Sequence, residues 1–359
     1  MLLPATVLPG ATIGILGGGQ LGRMMAVAAA QLGYNCHIYA PEAESVAGEV
    51  SAQLTRADWH DMQALADFAD QCDVITYEFE NVAAGPLAMI ADIAPLRPGP
   101  RVLEIAQSRS SEKTFATACG GVTAPFALVE SAQELAAAIA EIGTPSILKT
   151  NRLGYDGKGQ IRLSGGEDAG LVWQEIGGQP CVLEGFVTFA AEFSVILVRG
   201  LDGEVRFWDS AQNVHVGGIL ATSTLPASQV VLQQVAEARH FASRMAEELD
   251  YVGVLSCEFF ATAEGPVFNE MAPRVHNSGH WTIEGAETSQ FENHIRAICG
   301  LPLGNTALAG RHVVMRNLIG DEALDVLPIL ADGANHLHLY GKSEARGGRK
   351  MGHVTKVIR

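Results

Sequence analysis

The chain has 359 residues, and 24 Lys and Arg against 40 Asp and Glu give a formal net charge of −16. That balance excludes a domain that grips nucleic acid through a broad basic face, since phosphate neutralisation supplies most of such affinity. A composition of 48% hydrophobic and 18% charged residues excludes a disordered chain and leaves a globular protein, long enough for two or three domains.

The first hundred residues alternate strand and helix signals. Thr12–Leu16 is a short apolar run ending in Gly17-Gly18-Gly19, and Leu21–Leu32 reads as a helix stopped by Gly33. Asn35–Ala40 is a second strand, Asp61–Ala69 a helix and Val74–Tyr77 a third strand. Such alternation predicts a parallel α/β sheet. The proline-rich stretch 95–100 is a boundary loop. Ser111–Cys119 is helical, and Ser131 with Glu134 forms a capping box before an alanine-rich helix to Ile142. Ser146–Thr150 is a strand, followed by a glycine loop and a return strand from Ile161. Cys181–Phe186, Phe193–Val198 and Val205–Asp209 read as strands, with Asp202-Gly203 as a hairpin turn. One long helix is predicted over Gln229–Leu249, then a hairpin of Val254–Phe260 with Val267–Met271, and a helix near Ser289–Cys299. Short strands fill the tail from Arg311.

Six cysteines at 36, 72, 119, 181, 257 and 299 form no C-x-x-C pair, so neither a zinc site nor a disulfide framework is expected. No apolar run is long enough to cross a membrane, and Met1–Gly10 lacks a charged start. A soluble, cytoplasmic protein is expected.

Three segments carry chemistry. Gly17-Gly18-Gly19-Gln20-Leu21-Gly22 matches G-x-G-x-x-G between strand and helix, with Glu42 near the end of the second strand. That pattern fits a dinucleotide, but the physics of backbone N–H groups at a helix start serves any phosphate. The second segment runs from Lys149 through Gly154, Gly157, Lys158 and Gly159 to Gln160. Its glycines let amides fold over a polyphosphate and its lysines neutralise it. It leads into a strand and lacks G-x-x-x-x-G-K-[ST], so it is not a P-loop. The third segment is the hairpin. A three-residue turn at Ala263-Glu264-Gly265 would set Glu258 opposite Glu270, and Phe260 opposite Phe268. Facing carboxylates beside a phosphate loop imply magnesium. Arg274 and His276 follow on one face and suit a small oxyanion. Pro273 and Gly279 argue against a zinc helix bearing His276 and His280.

Together these segments resemble the 5-(carboxyamino)imidazole ribonucleotide synthase family of the ATP-grasp superfamily. The resemblance rests on Gly-Gly-Gly-Gln-Leu-Gly-Arg-Met at 17–24, Tyr-Glu-Phe-Glu-Asn-Val at 77–82 and Gly-Tyr-Asp-Gly-Lys-Gly-Gln at 154–160. It also rests on Asn-Glu-Met-Ala-Pro-Arg-Val-His-Asn-Ser-Gly-His-Trp at 269–281 and Gly-Arg-Lys-Met-Gly-His at 348–353. It implies a pre-ATP-grasp, Rossmann-like α/β domain over 1–108, an α+β ATP-grasp domain over 109–302, and a small β-rich C-terminal domain over 303–359. Family members usually continue past the last strand, so a smaller C-terminal domain is expected.

The implied activity is an ATP-dependent carbon–nitrogen ligase acting on bicarbonate and aminoimidazole ribonucleotide in purine synthesis, as a homodimer. ATP would be held by Arg109, Lys149, the flap Gly154-Tyr155-Asp156-Gly157-Lys158-Gly159-Gln160, the Glu184-Gly185-Phe186-Val187 strand, Glu192 and His215. Glu258 and Glu270 would carry two magnesium ions, with Asn269 nearby, and Arg274 and His276 would hold bicarbonate and carboxyphosphate. Gly19, Gln20 and Leu21, with Arg349 and Lys350, would take the ribonucleotide's phosphate; Glu80 would bind its ribose, and Tyr155 and Asp156 would meet its imidazole and amine. Asp156, Arg274, His276 and Lys350 would be the catalytic residues. The alternatives are a sister ATP-grasp carboxylase or transformylase, a non-catalytic nucleotide sensor, and an NAD(P)-dependent oxidoreductase that uses Glu42.

Overall fold

The structure, a computed structural model, describes residues 6–154 and 159–359. Its first sheet is parallel, in the order β3-β2-β1-β4, from β1 (Thr12–Leu16), β2 (Asn35–Tyr39), β3 (Gln53–Thr55) and β4 (Val74–Tyr77). The helix Gln20–Gln31 leaves β1 directly and buries Leu21, Met25, Ala26 and Ala29 against it. The helix Met62–Ala69 is capped by the Asp61 carboxylate, which accepts from Ala64 N–H at 3.0 Å.

A second sheet is antiparallel, in the order β5-β8-β6-β7, from β5 (Phe126–Val129), β6 (Ser146–Thr150), β7 (Gln160–Leu163) and β8 (Cys181–Gly185). The helices Ala132–Ile142 and Ala169–Glu175 cover one face, where Leu135, Ala138 and Val172 meet Leu148 and Leu183. The capping box forms in modified shape. Ser131 Oγ accepts from Glu134 N–H, but the Glu134 carboxylate reaches back one residue further, to Glu130 N–H at 2.6 Å.

The third sheet has nine strands. In chain order they are β9 (Ala191–Arg199), β10 (Val205–Phe207), β11 (Gln212–Val216), β12 (Ile219–Leu225), β13 (Gly253–Ala261), β14 (Pro266–Ala272), β15 (His312–Ile319), β16 (Asn335–Leu339) and β17 (Lys350–Ile358). The order is β14-β13-β9-β11-β12-β15-β17-β16, with β10 on β9. The C-terminal strands β15 to β17 thus extend the central sheet through β12 and swing the segment 340–350 toward the first domain.

Two expectations are corrected. The long helix over 229–249 is two helices, Gln229–Leu232 and Val235–Glu248. The break falls at Gln234, whose side chain donates to Thr262 O at 2.8 Å, so a tertiary contact overrides local helical preference. In the β13–β14 hairpin Phe260 faces Val267, and Phe268 faces Phe259. The turn spans four residues between Ala261 and Pro266, and a bulge between Glu258 and Phe259 restores Glu258 opposite Glu270. The predicted carboxylate pair is present, but the bulge creates it and the turn length does not.

One residue ties the first domain to the central sheet. His294 lies fully buried on the helix Gln290–Cys299. Its Nδ1 accepts from Val254 N–H at 3.1 Å, so Nε2 carries the proton toward Thr76 Oγ1 at 2.8 Å. Burial pushes its pKa down to about 3, which keeps the ring neutral. Gly253 makes room for it: a Cβ there would stand 2.9 Å from the imidazole, at φ +123°.

Candidate active site

A cavity of about 940 Å³ opens where the three sheets meet. Its wall joins Gln20, Leu21 and Glu80 of the first domain to Arg109, Lys149, Glu192 and His215. Glu258, Asn269, Glu270, Arg274 and His276 line another side, and Arg349 and Lys350 close it. Residues up to 330 positions apart in sequence, Gln20 and Lys350, share one wall.

The bulge explains why Asn269 and Glu270, neighbours on one strand, both face the cavity. In regular pleating they would point to opposite sides. Burial raises Glu258, Glu270 adds repulsion, and its pKa reaches about 7 although His215 opposes the shift. Burial also acts on Glu270, but Arg109 and Lys149 outweigh it and hold that group low. Arg109 reaches Glu270 Oε2 at 3.2 Å and Gly154 O at 3.3 Å. Glu258 Oε1 is buried without a hydrogen-bond donor. This is a donor set that a divalent cation would satisfy. Among the described residues no group of three or more His, Cys, Asp or Glu could hold a metal ion. Two carboxylates beside the Asn269 amide suit magnesium, which keeps few protein ligands.

Beneath the floor lies a buried ion cluster. Glu184 Oε2 takes Lys149 Nζ at 2.9 Å and Lys113 Nζ at 3.2 Å, with both lysines and the carboxylate largely withdrawn from water. Burial lowers Lys149, while Glu184 resists the fall. Lys113 also donates to Asn269 O at 3.2 Å and so anchors the bulge. Glu112 accepts from Met271 N–H at 2.5 Å, and burial with the Glu270 charge pushes it up to about 8. Sequence reading missed Glu112 and Lys113. The signal was their spacing: with Arg109 they fall at i, i+3 and i+4, one charged face of the helix Arg109–Ala118.

Glu192 and His215 pair across β9 and β11, and although burial opposes it, the carboxylate contact raises the imidazole. Arg274 Nε stands 2.9 Å from Glu80 Oε1. His276 is driven well below the ordinary imidazole range by burial and by Arg274 and Lys350. Its Nδ1 accepts from Ser278 N–H at 3.3 Å, so Nε2–H is the ring's donor. His280, buried elsewhere, bonds Asn277 and Tyr340 and shares no site with His276.

Not every predicted residue reaches the wall. Glu184, Gly185, Phe186, Val187 and Gly159 lie outside it, and Gly185 N–H and Phe186 N–H bond Pro125 O and Pro145 O. Glu42 is exposed and also outside. Tyr155, Asp156, Gly157 and Lys158 fall outside the described residues. Gly19 N–H does not face the cavity; it donates to Glu78 Oε1 at 2.7 Å. Glu78, which directly follows β4, was also missed. Lys342 and Arg346 join the wall unpredicted.

The family model of the ribonucleotide synthetase preATP-grasp domain matches residues 10–107, that of the ATP-grasp domain 114–291, and that of the phosphoribosylaminoimidazole carboxylase C-terminal domain 313–359. An N5-carboxyaminoimidazole ribonucleotide synthase of Brucella melitensis is 50% identical over 97% of this chain and 97% of its own. The Staphylococcus aureus N5-carboxyaminoimidazole synthetase, solved with ADP, has a TM-score of 0.94 at 35% identity, over 99% of this chain and 95% of that one. The Aspergillus clavatus enzyme, solved with ADP and 5-aminoimidazole ribonucleotide, has a TM-score of 0.89 at 29% identity, over 97% and 94%.

Proposed function

The chain belongs to the N5-carboxyaminoimidazole ribonucleotide synthase family, and from that membership we propose that it carboxylates 5-aminoimidazole ribonucleotide in purine biosynthesis. Bicarbonate supplies the carboxyl group, and ATP is cleaved to ADP and phosphate. The observation that carries the reading is the single cavity in which a glycine-loop edge, a basic C-terminal segment, a carboxylate pair and an Arg–His pair meet.

ATP lies against Arg109, Lys149, Glu192 and His215, and the resemblance assigns it the segment 154–160 as well. Glu258 and Glu270, with Asn269 nearby, would hold two magnesium ions, which would supply charge neutralisation for the transferring phosphoryl group. Arg274 and the His276 Nε2–H donate to bicarbonate, and the neutral imidazole avoids repelling the guanidinium beside it. Bicarbonate oxygen attacks the γ-phosphorus and ADP leaves, giving carboxyphosphate. The substrate amine then takes the carboxyl carbon, phosphate departs, and the amine's proton passes to a base. The resemblance assigns that base to Asp156, beside Tyr155. Gln20, Leu21, Arg349 and Lys350 hold the ribonucleotide's phosphate and Glu80 its ribose.

The domains divide at about 108 and 302, in line with the matched ranges. Among the described residues no helix is long and apolar enough to cross a membrane, and all six cysteines are free, which suits a reducing cytoplasm. The chain works as a homodimer, which sedimentation would test.

The deciding experiment is ADP release measured with and without 5-aminoimidazole ribonucleotide and bicarbonate, with ¹³C-bicarbonate incorporation followed by NMR. ADP release that ignores the ribonucleotide would sink the substrate assignment. Full synthase turnover by Asp156→Asn would remove that residue's role.

A further inference from the structure

The first glycine loop carries a dinucleotide fingerprint, yet its own chain accounts for each glycine. Gly17 takes φ +119° at the turn out of β1. Gly22 lies against the loop, where a Cβ would stand 3.0 Å from Gly17 O and 3.2 Å from Ala47 Cβ. Gly19 is the position that, in a dinucleotide site, leaves room for the pyrophosphate to approach. Here a Cβ on Gly19 would stand 2.7 Å from Glu78 Oε1, and one on Gly17 would stand 2.6 Å from Glu78 Cγ. The Gly19 N–H, which would cradle a pyrophosphate, donates to the same carboxylate at 2.7 Å. Gln20 and Leu21, one turn-edge further on, line the cavity; Gly19 and Glu78 do not.

We propose that Glu78 is a specificity-determining residue: its carboxylate occupies the place of a second phosphate at the helix start and confines the first glycine loop to phosphate monoesters. The proposal rests on the reading that this loop edge takes the ribonucleotide's phosphate, and it deepens that reading. A monoester reaches the Gln20–Leu21 edge and is clasped from the other side by Arg349 and Lys350. A diphosphate group extending deeper meets both the volume and the negative charge of Glu78. Burial raises the pKa of that carboxyl, the Gly19 and Gly22 N–H groups and Arg274 work to lower it, and Glu42 adds repulsion. A consequence is that the strand–loop–helix unit keeps the glycine spacing of a dinucleotide fold while rejecting dinucleotides.

The test is competition against 5-aminoimidazole ribonucleotide with ATP saturating and free magnesium held constant. The probes are ribose 5-phosphate and inorganic pyrophosphate, in the parent protein and in Glu78→Ala, Glu78→Gln and Glu78→Asp. In the parent, ribose 5-phosphate is expected to compete at least tenfold better than pyrophosphate. Glu78→Ala, which removes volume and charge, should bring the two within about twofold. Glu78→Gln, which removes charge alone, should shift the ratio part of the way, and Glu78→Asp should keep the parental preference. The KM for ATP should move less than twofold in all three, which separates a local change from a damaged fold. If Glu78→Ala does not fold, Glu78→Gln alone decides. A parental ratio in both Ala and Gln variants, with ribose 5-phosphate still competing, overturns the role of Glu78. Failure of ribose 5-phosphate to compete in the parent overturns the reading of the loop itself.

Discussion

Replacing Glu184 by Gln should cost several kcal/mol of stability, although Glu184 does not line the cavity. Its Oε2 faces two ammonium groups, at 2.9 Å from Lys149 and 3.2 Å from Lys113. With an effective dielectric of about 20, the gross attractions are about 6 and about 5 kcal/mol. Removing the charge also spares the carboxylate its desolvation cost, and Lys149 can shed its proton. The net loss should therefore approach the roughly 3–5 kcal/mol seen when one partner of a buried pair is removed. The sign of the pH dependence follows from Lys149. Burial already lowers its pKa in the folded protein, and without Glu184 the opposing attraction disappears. Between the lowered pKa of folded Lys149 and about pH 10.4 the unfolded chain then binds more protons than the folded one, so across that window the stability of the variant rises with pH relative to the parent. Urea unfolding at pH 7 and pH 9 measures both effects. A loss under about 1 kcal/mol at pH 7, or a loss that stays constant to pH 9, would refute the two-cation account.

Glu270→Gln should lower kcat/KM for ATP at least ~100-fold, about 3 kcal/mol of transition-state stabilisation, and raise the magnesium needed for half-maximal ADP release. A magnesium titration at fixed ATP reads both, and an unchanged half-saturation point would place the metal elsewhere. His294 makes stability fall with acid. Its folded pKa of about 3 lies below the ordinary 6.5, so only the unfolded chain takes up the proton as pH drops through that window. The contribution lost by pH 5 is about 2 kcal/mol, and His294→Gln should show a correspondingly flatter acid limb in urea unfolding. Gly253→Ala combines a positive φ with a Cβ 2.9 Å from His294, and should lower unfolding stability by at least about 2 kcal/mol. A loss under ~0.5 kcal/mol would mean that the joint between the domains yields more freely than its packing implies.

Elements built from local signals were legible in the sequence. β1, β4 and β6 lie where the apolar runs place them, and the helix Gln290–Cys299 starts at Ser289 and ends against Gly300 at φ +71°. β11 and β12 were not legible. Their residues mix polar and apolar types, and β12 is held by pairing with β11 and β15. Strand propensity depends on such context more than helix propensity does. The candidate site divides in the same way. Glu258, Glu270, Arg274 and His276 announce themselves by residue type within a short span. Lys113 and Glu78 act through partners 71 and 59 positions away, Glu184 and Gly19, and local spacing does not reveal those partners.

The sequence by itself determined the parallel first domain, the glycine-rich spacing of the two loops and the family. Each is a matter of residue type at a short, fixed spacing, where backbone period and turn chemistry act directly. Only the tertiary structure decided how the carboxylates come to face each other, because a bulge is fixed by cross-strand register and the Lys113 anchor. It also decided what occupies the first glycine loop. A helix N-terminus attracts any anion, and whether that anion is a ligand or the protein's own carboxylate depends on the strand that lies beside it. In this fold β4 lies beside β1, and it delivers Glu78.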